Sequence, residues 1–238
     1  MIRRIVIGDI HGCNKTLKAL LEDEIKPSKD DMIFCVGDLI DRGPGSRDVI
    51  DYIVNLRREG YHIFPIRGNH EDMFLKTWED KSYMRGWYAN GAEETLRSFH
   101  IPDYMIYNYE CLRLIPDNYI SFLESLPYFY DLDDYFIVHA GLNFQAENIL
   151  ADTESMLWIR VMDYKADKIG NKTLVHGHTP IPLSIIKSYI NRLDHKILNI
   201  DAGCVYKEVP GYGILIAIDL DTRALYIKEN IDMDYVPR

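Results

Sequence analysis

Nine side chains of this sequence are of kinds that hold metals and phosphate, and all lie in or beside glycine-containing turns. Asp9 and His11 stand in "GDIHG", Asp38, Asp41 and Arg42 in "GDLIDRGPGS", Asn69 and His70 in "RGNHE", His139 in "HAG" and His178 in "HGHTP". Carboxylates, an amide and imidazoles form the donor set of borderline divalent ions such as Mn, Fe or Zn, and the lack of thiolates argues against a purely structural zinc. Two ions are expected: Asp9 and His11 serve one, Asn69, His139 and His178 the other, and Asp38 is the natural bridge. Paired divalent ions ~3.5–4 Å apart suit phosphoester hydrolysis, because they deprotonate a shared water and hold the phosphoryl oxygens through an in-line displacement. Arg42 beside them offers a bidentate clamp on phosphate.

Each turn follows a short apolar run, as a turn at the end of a strand would. Ile5 to Ile7 runs into "GDIHG", Met32 to Val36 into "GDLIDRG", His62 to Ile66 into "RGNHE", Tyr135 to Val138 into "HAG", Thr173 to Val175 into "HGHTP" and Ile197 to Ile200 into "DAG". Between the early strands, Leu17, Leu20, Leu21 and Ile25 recur at helical spacing, as do Val49, Ile50, Ile53 and Val54 after Ser46, which reads as an N-cap. Strands alternating with helices give an α/β fold. In open α/β sheets ligands bind beyond the carboxyl ends of the strands, where these polar turns gather.

The stretch from about Asp80 to Tyr130 breaks this rhythm and reads as a helical insertion. Asn90 with Glu93 three residues on has capping-box spacing, and "PDNYISFLESLP" starts at Pro116 and stops before Pro127 like a short helix. Its many tyrosines read mainly as packing. Gly213 to Asp219 and Ala224 to Lys228, around Asp221-Thr222, read as a hairpin.

At 238 residues the chain fits one domain, spanning 1–238. The longest apolar run, Ile214 to Ile218, is far short of the ~20 residues of a membrane helix, and the apolar stretch before Asp9 is too brief for a secretory signal. Cys13, Cys35, Cys111 and Cys204 form no close pair, so no disulfide framework is expected and a cytoplasmic setting fits. A net charge of −10 argues against sequence-independent nucleic-acid binding.

"GDIHG", "GDLIDRG", "GNHE", "HAG" and "GHT", in this order, resemble the phosphoprotein phosphatase branch of the metallophosphoesterases, especially bacterial and phage Ser/Thr protein phosphatases. "WYANGA" at Trp87 to Ala92 and "LWIR" at Leu157 to Arg160 are similar to the bacterial subgroup. The resemblance implies a calcineurin-like fold, a four-layer β-sandwich flanked by helices. It implies that Asp9, His11 and Asp38 hold a first metal and Asp38, Asn69, His139 and His178 a second, with manganese foremost. Arg42 and Arg160 would bind phosphate beside Asn69, and His70, oriented by Asp41, would be the general acid. A metal-bridging hydroxide would attack the phosphate directly, without a phosphoenzyme. The substrate implied is phosphoserine or phosphothreonine in a phosphoprotein or phosphopeptide.

Gly-Asp and Gly-Asn are common turn pairs, so any one motif alone reads as a turn; five in order do not. "VHAG" departs from the "HGG" of many eukaryotic relatives without touching the histidine. His176 reads as a packed neighbour rather than a ligand, Asp201 as a hydrogen-bonding residue at a strand end, and Cys204 as buried. His62, His100 and His195 belong to no motif. The nearest rival function is that of the symmetrical bis(5'-nucleosyl)-tetraphosphatases, which are similar in family and share "RGPGS". Their leaving group is itself a phosphate and needs less protonation. Asp41, and Glu71 in "GNHE", lean toward a phosphomonoesterase.

Overall fold

The computed structural model describes residues 2–192 and 194–232. The chain opens with β1 (Arg4–Ile7), α1 (Asn14–Ala19), β2 (Met32–Cys35), α2 (Ser46–Arg58), β3 (His62–Pro65) and α3 (Asn69–Glu79). The insertion follows as short helices: α4 (Met84–Tyr88), α5 (Ala92–Ser98), α6 (Asp103–Ile106) and α7 (Asp117–Glu124). Then come β4 (Phe129–Asp131), β5 (Tyr135–Val138), α8 (Thr153–Trp158), β6 (Thr173–His176), α9 (Leu183–Tyr189), β7 (Ile197–Asn199), β8 (Ile214–Asp219) and β9 (Leu225–Glu229).

The strands form two sheets rather than one open sheet. The first has the order β3-β2-β1-β8-β9, with β1, β2 and β3 parallel and the β8–β9 hairpin antiparallel; the second has the order β4-β5-β6-β7. Period-two alternation sorts their side chains into layers. Ile5, Ile7, Ile33, Cys35 and Ile63 face α1, α2, α3 and the insertion, whereas Val6, Phe34 and Val36 face Ile137, Val175 and Leu198 between the sheets. Phe136, Val138 and Leu174 point outward from the second sheet onto Phe144, Met156 and Ile169. Strands buried on both faces read as continuous apolar runs, which is why they were visible in the sequence.

Several local expectations shift. Gly45, not Ser46, caps α2; the Ser46 hydroxyl instead accepts from the Asp41 backbone N–H at 3.0 Å. Gly91 precedes α5, and Asn90 donates to the Gly86 carbonyl at 2.9 Å, so the spacing of Asn90 and Glu93 does not become a capping box. The insertion ends in a strand, β4, that extends the second sheet. Nothing local caps α1. The Asp232 carboxylate does so from the other end of the sequence, accepting from the backbone N–H groups of Lys15 (2.9 Å) and Thr16 (2.8 Å). No helix among the described residues is long and apolar enough to cross a membrane.

Candidate active site

The turns after β1, β2, β3, β5 and β6 converge, and with them Asp9, His11, Asp38, Asn69, His70, His139 and His178, all buried. His11, Asp38, Asp41, Arg42 and His178 all have positive φ, between 47° and 71°. Such backbone costs about 1–3 kcal/mol per non-glycine residue and persists where the surroundings hold it, typically at functional sites. At Gly177 the constraint is space: a Cβ there would lie 1.9 Å from Asp9 Oδ1.

Asp38 is the hub. Its Oδ2 lies 3.5 Å from His11 Nε2 and its Oδ1 3.4 Å from His139 Nε2. Asn69 Oδ1 lies 2.9 Å from both His139 Nε2 and His178 Nδ1. Donor atoms of Asp38, His139 and His178 come within 4.8 Å of one another, and so do those of His11, Asp38 and His70. Asp9 enters beside them: its Oδ2 accepts the His178 backbone N–H at 2.9 Å, while its Oδ1 is buried with no hydrogen-bond partner among the described residues.

These atoms fit divalent cations. His11 Nδ1 is turned to the Ile40 carbonyl (3.1 Å) and His139 Nδ1 to that of Val36 (2.8 Å). Donation there leaves Nε2 of each ring as its acceptor atom, that of His139 aimed at the centre and that of His11 shared between the centre and Arg42 Nη1 at 2.9 Å, the arrangement typical of ligating histidines. The His139 lone pair then faces the oxygens of Asp38 and Asn69, three acceptors with no proton between them. A cation satisfies all three.

Charge points the same way. Burial holds His11 and His139 below the ordinary histidine range and lowers His178 to about 3. Burial, then the charges of Asp201 and Asp38, push Asp9 well above the ordinary carboxylate range. Burial also pushes Asp38 up, but His139, His70, His11 and Arg42 outweigh it and hold that carboxyl below the usual range. Asp9, Asp38, Glu71 and Asp201 are four buried carboxylates in one neighbourhood, and positive charge is what makes such a cluster tolerable.

His70 and Asp41 form a separate pair. His70 Nδ1 lies 2.8 Å from Asp41 Oδ2, both side chains are fully enclosed, and His70 Nε2 has no hydrogen-bond partner among the described residues. Arg42 Nη1 lies 2.9 Å from His11 Nε2, and Arg160, exposed, reaches Thr179 Oγ1 at 3.4 Å beside His178. His176 ends β6 with Nδ1 against the Gly177 carbonyl, outside both donor clusters. Asp201 Oδ1 accepts the Gly203 N–H at 2.8 Å, as a strand-end residue should.

Three contributors were missed in the sequence. In the sequence Glu71 stands out only as a variant of its motif and Trp87 only as part of a subgroup signature, and Thr95 belongs to no motif. Glu71 accepts backbone N–H groups from the turn that carries Asp38, and Trp87 Nε1 and Thr95 Oγ1 both donate to Asp41. The signal for Glu71 was its place three residues after Gly68, where it completes half of a capping box.

The calcineurin-like phosphoesterase family model matches residues 2–206. The chain belongs to that family. Among its relatives, this phosphoesterase is 26% identical over 226 residues to the asymmetrical bis(5'-nucleosyl)-tetraphosphatase PrpE of Anoxybacillus flavithermus, covering 84% of this chain and 85% of that protein. It is 40% identical over 89 residues to serine/threonine-protein phosphatase 1 of Salmonella typhimurium, covering 37% of this chain and 38% of that protein. The crystal structure of a candidate diadenosine tetraphosphatase superposes with a TM-score of 0.64 at 20% identity, covering 96% of this chain and 94% of that one.

Proposed function

We propose that this phosphoesterase is a phosphomonoesterase acting on phosphoserine and phosphothreonine in proteins. The observation that carries the reading is the buried His70–Asp41 pair, with Nδ1 2.8 Å from the carboxylate and Nε2 unpartnered. An alkoxide is a poor leaving group, and a positioned general acid contributes ~10²–10⁴ in rate. Asp41 fixes the imidazole so that Nε2 is the atom that gives its proton to the leaving oxygen.

In this reading Asp9, His11 and Asp38 hold one divalent ion and Asp38, Asn69, His139 and His178 a second, manganese for preference, with iron or zinc accepted by the same donors. Bound there, the ions supply Lewis acidity toward the phosphoryl oxygens and activate the attacking water. Arg42 and Arg160 bind the remaining phosphoryl oxygens from two sides, with the Asn69 amide beside them. A cytoplasmic setting goes with the four buried free thiols.

The long match to a tetraphosphatase favours a second reading, hydrolysis of dinucleoside tetraphosphates. The two separate on substrate. Manganese-loaded protein is offered phosphoserine and phosphothreonine peptides and diadenosine tetraphosphate side by side, with His70→Asn as control. Preference for peptides, lost in the variant, supports the first reading; preference for the dinucleotide overturns it.

A further inference from the structure

We infer that Trp87 and Thr95, both supplied by the helical insertion, are positioning residues for proton donation by His70: they hold Asp41, and Asp41 holds the imidazole. The inference rests on the reading of His70 as general acid and adds to it what keeps that acid in place.

Asp41 is completely buried, and both of its oxygens are occupied. Oδ2 accepts from Trp87 Nε1 at 2.8 Å as well as facing His70 Nδ1, and Oδ1 accepts from Thr95 Oγ1 at 2.6 Å. The direction of these bonds follows from the donors. An indole N–H only donates. Thr95 Oγ1 already accepts the Asp41 backbone N–H at 2.9 Å, and it spends its own proton on Oδ1. Trp87 and Thr95 thus meet Asp41 as donors, and Oδ2 is left as the acceptor for His70 Nδ1–H. The free position on the ring is Nε2.

The same corner of the insertion holds the backbone under this carboxylate. Asp41 and Arg42 are consecutive residues with φ of 69° and 68°, a strained pair that needs outside support. The Asp41 N–H is taken by the Ser46 and Thr95 hydroxyls, and the Arg42 N–H donates to the Gly91 carbonyl at 3.1 Å. Gly91 itself has φ of +97°, and a Cβ there would lie 2.8 Å from Arg42 Cγ. Trp87 is core as well as donor, packing edge-on to Phe74 at 5.1 Å. Its N–H could have gone to a backbone carbonyl; it goes to Asp41.

A residue that acts through the general acid matters in proportion to how badly the leaving group needs a proton, whereas a residue that merely stabilises the fold affects every substrate alike. The test compares a phosphoserine peptide with 2,4-dinitrophenyl phosphate, whose leaving group departs unprotonated, on manganese-loaded full-length Trp87→Phe, Thr95→Val, Thr95→Ser and His70→Asn. Thr95→Val is nearly isosteric, so its fold is expected to persist even where the smaller ring of Trp87→Phe loosens the core. Melting temperature and bound manganese are read for each.

The expected result is a fall in kcat on the peptide of about tenfold to a hundredfold for Thr95→Val and Trp87→Phe. KM changes little, the loss on the dinitrophenyl ester is much smaller, and Thr95→Ser restores the peptide rate. Equal losses on both substrates, or none on either, overturn the inference. If only His70→Asn discriminates between the substrates, the general-acid reading stands and the role of Trp87 and Thr95 falls. If His70→Asn does not discriminate, that reading fails and the inference with it.

Discussion

Glu71 reaches back from the first turn of α3 and binds the backbone of the turn that carries Asp38. Oε2 accepts the N–H groups of Gly68 (2.7 Å) and Asp38 (3.0 Å), and Oε1 those of Leu39 (2.7 Å) and Ile40 (3.2 Å). One carboxylate thus holds the turn of Asp38 at three points and the start of α3 at a fourth while remaining fully buried. Glu71→Gln, which replaces one acceptor by a donor, is expected to lower unfolding free energy by about 3 kcal/mol, since buried donors lose their partners. Equilibrium urea unfolding measures this; a loss under about 1 kcal/mol would mean that the turn is held by other means.

Acid sensitivity is expected at a point remote from the site. Burial pushes Asp31 up, but Arg3 (2.6 Å) and the backbone N–H groups of Ser28 and Arg3 outweigh it, holding the carboxyl well below the usual range. Because the folded value is depressed, the stabilisation is fully present above the ordinary carboxylate pKa near ~4 and is lost as pH falls through the folded value. Asp31→Asn is expected to cost about 2 kcal/mol at neutral pH, with the gap to the parent closing as pH drops below ~4. A gap that stays constant down to the acid unfolding transition would remove the ion pair from this account.

Arg160 is exposed and its hydrogen bond to Thr179 Oγ1 is long, 3.4 Å, so its charge is available to a ligand. Arg160→Ala is expected to raise KM for phosphopeptide about tenfold, with manganese content and melting temperature unchanged. An unaltered KM and kcat would make it an ordinary surface cation.

Asp9 sits among carboxylates that repel it, and its Oδ1 has no hydrogen-bond partner among the described residues. Asp9→Asn removes that repulsion along with a ligand. Manganese titration is expected to find one of two sites weakened about tenfold or more, while the metal-free variant melts no lower than the metal-free parent. Two sites of parental affinity would take Asp9 out of the ligand set.

Much of this was legible because strands buried on both faces and glycine-rich turns leave plain marks. All six strands expected from the apolar runs are present within two residues, and the residues of the ordered motifs lie together. The second sheet was not legible from spacing, since parallel strands read alike whichever sheet they join. Caps at Ser46 and Asn90 were misplaced by one residue because the adjoining glycines at 45 and 91 already fill those positions. The bonds from Trp87 and Thr95 to Asp41 could not be read at all: they join the insertion to a turn some fifty residues earlier, and only the fold brings them together.

Strand β1 takes one neighbour, β2, from the residues that follow it and the other, β8, from far downstream, pairing Ile5 with Asp219. During synthesis the turn bearing Asp9 and His11 therefore emerges first but lacks half of its supporting sheet until the β8–β9 hairpin has left the ribosome. Completion of that turn becomes a late event, and a nascent chain stalled before residue 219 would carry the motif without the sheet that shapes it.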